Sequence, residues 1–417
     1  MSGSRLSGKA LLGFGAYDFS NSGYVLIFQS FLFPLFFAAE VAEWFGEPER
    51  VWGIVVAAST VLAVIVAPRI GAVGDQVGKG RVFLACVLVT GLGALAVSLG
   101  GSLSPAIVVF GFLAFNAVFE TSQALYDSFL KELADNLRDT VRLSTFGWGF
   151  GYLGGALFAG VYLWLDSMQV DQGAMLAIFA CAFLLLSLPA CRFLWTKEKR
   201  PPLTKTVGGG RGLMEVIRSV FVLRTKSPIA FRHLVVYWLV VDAVAGVMYF
   251  APLFLTTEVG LSMTTVGSLL LASQLLAAPA TYVVGLAAIR WGLVLVIRLT
   301  LVGWIVALIG IFMSTTVGDV VLAMVPMVMV IGSTQALLRA HFSQHVSRAS
   351  AGEGFGYYAI AQKSAAVLTP LLVSAIATIT GSLRPAFAVL ALVIFLAAWV
   401  AARLPGGSSV DDAVAAK

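Results

Sequence analysis

Along this chain the apolar residues neither alternate nor gather in narrow stripes. They run almost unbroken for stretches of about 20 residues, the length that crosses a bilayer as a helix, and short polar segments separate the runs. Twelve such stretches fit the chain, at 10–38, 50–71, 82–100, 104–130, 143–165, 174–195, 233–256, 262–289, 293–314, 318–342, 354–378 and 383–403. With no water to satisfy backbone groups in hydrocarbon, helices are the natural solution for runs of this length. The pattern predicts an all-α polytopic membrane protein. A longer polar stretch splits the helices six and six: a first half over 1–195, a linker over 196–232, a second half over 233–403 and a tail over 404–417. In the linker, Leu213, Ile217, Val220 and Phe221 share one helical face, which predicts an amphipathic helix on the membrane surface.

Composition agrees. Hydrophobic residues make up 59% of the chain and charged ones 12%, against about 25% charged in soluble domains. Lys and Arg follow the loops unevenly. With the N-terminus inside, Arg5, Lys9, Lys79, Arg81, Lys131, Arg138, Arg142, Arg290, Arg348, Arg403 and Lys417 fall on the inner side, as do the basic residues of the linker. The first outer loop is acidic, with Glu40, Glu43, Glu47 and Glu49. Both termini are therefore expected in the cytoplasm of a cell with the protein in its inner or plasma membrane. The same asymmetry accounts for the formal charge of +6 without a nucleic-acid partner.

The chemistry-bearing residues are few. An ionisable group inside the bilayer costs roughly 2.5–3.5 kcal/mol by insertion scales, so it marks a working part of the molecule. Asp18, Glu120, Asp127, Asp242, Arg339 and Lys363 fall in this class. On the fourth helix Asn116, Glu120, Gln123 and Asp127 form one stripe, and the first carries Asp18, Asn21 and Gln29. Bases deep in the second half and acids in both suit a small carboxylate-bearing or zwitterionic solute, bound by Asp18, Asn21, Glu120, Gln123, Asp242, Gln335, Arg339 and Lys363. Aromatic residues such as Trp148 and Tyr152 would line the same cavity, and Asp18 and Glu120 are candidates for a coupling proton. The opposing reading makes the polar residues interhelical clamps and the bases simple neutralisers of the acids.

Other chemistries lack support. Gly147, Gly149, Gly151, Gly154 and Gly155 follow no strand and suit close helix contact rather than phosphate. His233, His341 and His345 sit near the inner boundary without metal-ligand spacing and read as solvated. No nucleophile–base pair suggests an enzyme, and no motif suggests a cofactor. The expected partners are a small-molecule substrate, lipid and protons, for a monomeric chain.

The halves repeat one another. Gln123-Ala124-Leu125 precedes Asp127, and Gln335-Ala336-Leu337 precedes Arg339; Phe146-Gly147-Trp148 matches Phe355-Gly356-Tyr357. Gly71-x-x-x-Asp75-Gln76-Val77-Gly78 matches Gly285-x-x-x-Ile289-Arg290-Trp291-Gly292. Six-helix halves repeated in parallel are a transporter architecture with the site between the halves. Gly71, Asp75, Gly78, Lys79 and Arg81 resemble the major facilitator signature, with Gln76 in place of its basic residue and Gly80 between Lys79 and Arg81. Tyr17-Asp18-Phe19-Ser20-Asn21-Ser22, Tyr126-Asp127-Ser128, Phe146 to Gly155, Gln335 to Arg339 and Phe355 to Tyr358 with Lys363 resemble the vacuole-effluxer-like branch, which includes autophagy-related amino-acid effluxers. Asp127 stands where that branch usually has Asn. The resemblance implies an amino-acid-like solute carried by alternating access, and Asp75 as a gate that latches onto the start of helix 11. A proton-driven exporter of amphipathic compounds and a cation-coupled sugar symporter are the rivals within transport; a non-transporting scaffold or receptor is the rival outside it.

Overall fold

A computed structural model describes residues 6–40, 48–98, 104–197, 224–225, 227–348 and 351–404. Twelve long helical rods account for nearly all of them. In chain order, α1 comprises Gly8–Gly23, a π-helical stretch Tyr24–Leu32 and Phe33–Glu40. Then come α2 (Pro48–Val77), α3 (Lys79–Ser98), α4 (Pro105–Ser128), α5 (Leu137–Ser167) and α6 (Gln172–Lys197). The second half holds α7 (Pro228–Thr257), α8 (Met263–Trp291), α9 (Leu293–Met313), α10 (Val317–Val330 and Ser333–Gln344), α11 (Ala351–Thr380) and α12 (Arg384–Ala401). Ten of them are long and apolar enough, on their described residues, to cross a membrane; α1 and α11 are the other two. The protein is an integral, multi-pass helical bundle.

The two halves meet along paired seams. α2 packs on α11, and α5 packs on α8 and on the second part of α10. The repeat seen in the sequence is present in the backbone. Gly78 joins α2 to α3 with φ 117°, and Gly292 joins α8 to α9 with φ 100°. Residues with a Cβ rarely adopt that left-handed region, which explains why both copies of the tight turn keep glycine.

Several helix boundaries differ from the sequence pattern. α2 runs on to Val77 and α5 begins at Leu137, because polar residues there are buried by neighbouring helices rather than left in loops. α7 begins at Pro228, so 228–232 belong to the helix and not to the linker. The predicted amphipathic helix and the tail beyond 404 lie outside the described residues. Two helices are irregular. In α1 the π-helical stretch stacks Phe28 on Phe33, five residues on, at 5.8 Å between ring centroids. α10 breaks at Gly332, where any Cβ would collide with the Tyr152 ring and with Thr281 Oγ1. Ser333 Oγ and Gln335 Nε2 then donate to the carbonyls of Met329 and Ile331 near the break, at 2.5 and 3.3 Å.

Candidate functional site: a buried ion cluster between the halves

Arg339, on the second part of α10 and 3% exposed, lies at the contact between the halves. It reaches across into the first half. Nη1 donates to Asp127 Oδ1 at 2.8 Å, and Nη2 pairs with Asp18 Oδ2 at 3.3 Å. Nε donates to Ser144 Oγ and Nη2 to the Ser144 carbonyl, both at 2.9 Å. The rings of Phe14, Tyr126 and Trp148 surround the guanidinium at 5.6–5.8 Å, close enough for cation–π attraction. Tyr126 hydroxyl donates to Asp18 Oδ2 at 2.8 Å.

Glycine makes the approach feasible. A Cβ on Gly147 would strike Asp18 Oδ2 and come within 3.2 Å of Arg339 Nη2, and one on Gly151 would meet Ser22 Oγ at 2.6 Å. The glycine run of α5 thus lets α1 lie against it. Charge counting gives the cluster its chemistry. Two carboxylates face one guanidinium, so full ionisation leaves one negative charge in excess, and a proton on either acid would balance it. A buried pair like this is strongly destabilising to break by removing one partner, by about 3–5 kcal/mol.

A second set of contacts seals the same end of the bundle, where α2 turns into α3 at Gly78. Asp75 Oδ1 accepts the Gly352 amide at 2.9 Å and Oδ2 accepts the Glu353 amide at 3.0 Å. These are free N–H groups in the first turn of α11, where the helix dipole also favours an anion. Gly71 lies against the Gly352 carbonyl so closely that a Cβ there would overlap it. Lys79 is buried and pairs with Asp75 at 3.4 Å and Glu132 at 3.0 Å, and reaches the Arg348 carbonyl at 3.4 Å. Arg348 returns to the first half through the Lys131 carbonyl at 2.9 Å and Asp135 at 3.1 Å. Arg81 is exposed.

Other candidates go elsewhere. Asp242 is buried, but its carboxylate accepts the Thr369 amide at 2.9 Å and the Thr369 hydroxyl, tying α7 to α11 inside the second half. Glu120 and Asn116 belong to a network of the first half. Gln29 Nε2 donates to Asn116 Oδ1 at 2.7 Å and to Glu120 Oε1 at 3.4 Å, and Asn116 Nδ2 donates to Ser59 Oγ at 2.6 Å. Glu120 borders a narrow gap lined by Ala63, Ala67, Ala359 and Ile360. Lys363 lies on α11 with its side chain outside the described residues. The fourth-helix stripe is therefore divided. Its two ends serve different partners, and Gln123 sits between them with Oε1 buried and unbonded.

The sequence pattern also led to one cavity shared by all the charges, and the structure differs. Arg339 Nε, Nη1 and Nη2 all donate to protein oxygens, so its guanidinium is engaged between the halves. A crevice of about 160 Å³ lies instead between α7 and α11, lined by apolar residues with Trp238 and Ser364. His233 and His341 are not solvated either, while His345 is half-buried. His341 Nδ1 is 2.9 Å from His233 Nδ1, and His233 is fully buried. Ser144 and Thr281 carry no signal in the sequence pattern, and Tyr126 enters there only within the Tyr126-Asp127-Ser128 resemblance. Ser144 and Thr281 carry short hydroxyls that any spanning helix can bond to its own backbone, so the residue type alone gives no signal.

One turn beyond the ion cluster, away from Gly78, buried polar atoms lack partners. Asn21 Oδ1, Gln123 Oε1, Trp148 Nε1 and Thr281 Oγ1 make no hydrogen bond. An unbonded buried group costs about 1–3 kcal/mol, so each calls for an explanation.

Comparison with known proteins locates the chain among transporters. A family model described as "Vacuole effluxer Atg22 like" matches residues 131–413. The uncharacterized MFS-type transporter YxiO of Bacillus subtilis (strain 168) is 24% identical over 413 residues, covering 95% of this chain and 94% of that protein. The human organic anion transporter MFSD10 (TETRAN) superposes with a TM-score of 0.75 at 16% identity, covering 96% of this chain and 100% of that one. The proton:xylose symporter XylE, bound to 6-bromo-6-deoxy-D-glucose, gives a TM-score of 0.72 at 12% identity over 97% and 98% of the two chains. The structural likenesses establish the major facilitator fold.

Proposed function

The chain belongs to the vacuole effluxer Atg22-like family of major facilitator transporters, and from that premise we propose that it carries a small polar solute by alternating access, coupled to protons. The observation that carries this reading is Arg339 of the second half held by Asp18 and Asp127 of the first. A carrier that opens to either side must make and break contacts at each end of its central site. The Arg339 cluster and the Asp75 latch form one such set, and both join the halves at the Gly78 end. The distribution of Lys and Arg supports assigning that end to the cytoplasm. The gate would then be closed inside in the arrangement described here.

Protons enter through the charge count. With both acids ionised the guanidinium is held from two sides. A proton on one acid weakens that hold and favours release of the halves. Intramembrane carboxylates commonly act as proton relays, and Asp18 and Asp127 both touch the group that must let go. Glu120, on the other seam beside Ala359 and Ile360, is the second candidate for the coupling proton.

The experiment is transport in proteoliposomes. Asp18→Asn should abolish accumulation driven by a pH gradient while sparing exchange of solute across the membrane, since exchange needs rocking but no net proton movement. Wild-type accumulation in that variant would contradict proton coupling at the cluster. Loss of folding without any transport phenotype in milder variants would favour the scaffold reading.

A further inference from the structure

Resting on the transport reading, we propose that the solute is recognised by uncharged groups just beyond the ion cluster, and that it is a neutral, hydroxyl-rich molecule of polyol or sugar size. The ion cluster then gates and does not bind solute.

The argument begins with what the charged groups are already doing. Arg339 gives Nε, Nη1 and Nη2 to Ser144, Asp127 and Asp18. Asp18 is also bonded by Tyr126. Asp242 is engaged by Thr369 inside its own half. An ionic solute that used Arg339, Asp18, Asp127 or Asp242 would have to displace these strong contacts.

On the side of the cluster away from Gly78 the unsatisfied groups are neutral, while Glu132 Oε2, also unbonded, belongs to the Gly78 end beside Lys79. Asn21 lies one turn from Asp18 on α1, and Gln123 one turn from Asp127 on α4, both on the side away from Gly78. Trp148 lies one turn beyond Ser144 on α5, and its ring is both within 5.8 Å of the Arg339 guanidinium and 6.4 Å from the Tyr152 ring. Tyr152 and Thr281 meet at the break of α10. A Cβ on Gly332 would stand 3.0 Å from the Tyr152 hydroxyl and 2.6 Å from Thr281 Oγ1. An indole N–H and two hydroxyls thus lie around the break of α10, and two amide oxygens lie one turn from the cluster acids on α1 and α4, on helices from both halves. The buried ones among them, Asn21 Oδ1, Gln123 Oε1, Trp148 Nε1 and Thr281 Oγ1, lack partners.

That set has a definite complement. The amide oxygens need donors, the indole needs an acceptor, and a hydroxyl on the ligand serves either. The flat faces of Trp148 and Tyr152 suit the C–H surface of a polyol or a sugar ring. A broken helix at such a site is a recurrent feature of carriers. A solute that bonds these atoms removes the cost of their isolation, so binding stabilises the arrangement that holds it.

The test measures binding to purified, detergent-solubilised protein by thermal shift and calorimetry, with four probes: xylitol, alanine, ethanolamine and lactate. Xylitol should stabilise the protein. Trp148→Phe and Thr281→Val should each weaken its binding by about tenfold, while Leu392→Ala, at an exposed position on α12, should leave it unchanged. Two variants guard against a misfolding artefact in one. Stabilisation by alanine, ethanolamine or lactate but not xylitol would overturn the neutral class, and xylitol binding untouched by both variants would overturn the site. Counterflow with whichever probe binds separates the two readings. Counterflow of a charged probe refutes this proposal and leaves transport standing, whereas xylitol binding without counterflow refutes transport and leaves the site standing.

Discussion

Arg339 and Asp127 lie in different halves of the chain, 212 residues apart, and their side chains meet at 2.8 Å. Asp18 alone would neutralise Arg339. Asp127 adds the excess negative charge that gives the cluster a use for a proton.

Asp127→Asn should therefore keep the fold and solute exchange, because an amide oxygen can still accept from Nη1. Its transport at alkaline pH should behave like that of the wild type at acidic pH, since Asn mimics the protonated acid. The pH profile of transport in proteoliposomes checks this; an unchanged profile would remove Asp127 from the coupling.

Arg339→Gln should be severe. It leaves two buried carboxylates facing each other without a cation, a loss of about 3–5 kcal/mol. Thermal unfolding should show a clear fall in Tm, and adding Asp18→Asn with Asp127→Asn should recover most of it. A Tm insensitive to Arg339→Gln would mean that the cluster contributes nothing to joining the halves.

How much of this could be read from sequence follows from the energetics of hydrocarbon. The spans, the two halves and the buried charges stand out, because bilayer length and the cost of a stranded charge leave few alternatives. Asp75 was legible because its loop is a recurring motif, although its partners in the first turn of α11 lie 277 and 278 residues away. The partners of Arg339 were not legible. Whether it faces Asp18 or a solute depends on the rotation and tilt of α1, α4 and α10, which apolar runs do not specify. Asp242 shows the same limit from the other side: it matches Asp18 in depth, yet Thr369 beside Pro370 takes it. Thr281 and the break at Gly332 were invisible for a further reason. They depend on the Tyr152 ring of the other half, a contact between residues far apart in the chain.

Gly71→Val should hold the Gly78 end open. The Gly352 carbonyl sits where the new side chain would go, and backbone on both sides cannot yield cheaply. Accessibility of a cysteine introduced at Ser144, measured with a thiol reagent added from the cytoplasmic side, should rise relative to the same cysteine in the wild-type background. No rise would separate the α2–α11 seam from gating.

Orientation has its own check. A cysteine at Ser408, in the tail, should resist a membrane-impermeant reagent applied outside intact cells and react once the cells are opened. Reaction in intact cells would reverse the assignment of the Gly78 end to the cytoplasm.

The account stands most directly on whether the halves separate at the Gly78 end during the cycle. Spin labels at Val77, at the end of α2, and at Ser347, in the turn before α11, report this distance by pulsed electron resonance in nanodiscs. The account predicts a short distance that matches the closed arrangement and a second, longer one. The longer population should grow in Asp75→Asn, which loses the charge that holds the Gly352 and Glu353 amides, and at acidic pH. A single short distance, unmoved by Asp75→Asn, by pH or by solute, would contradict alternating access through this gate.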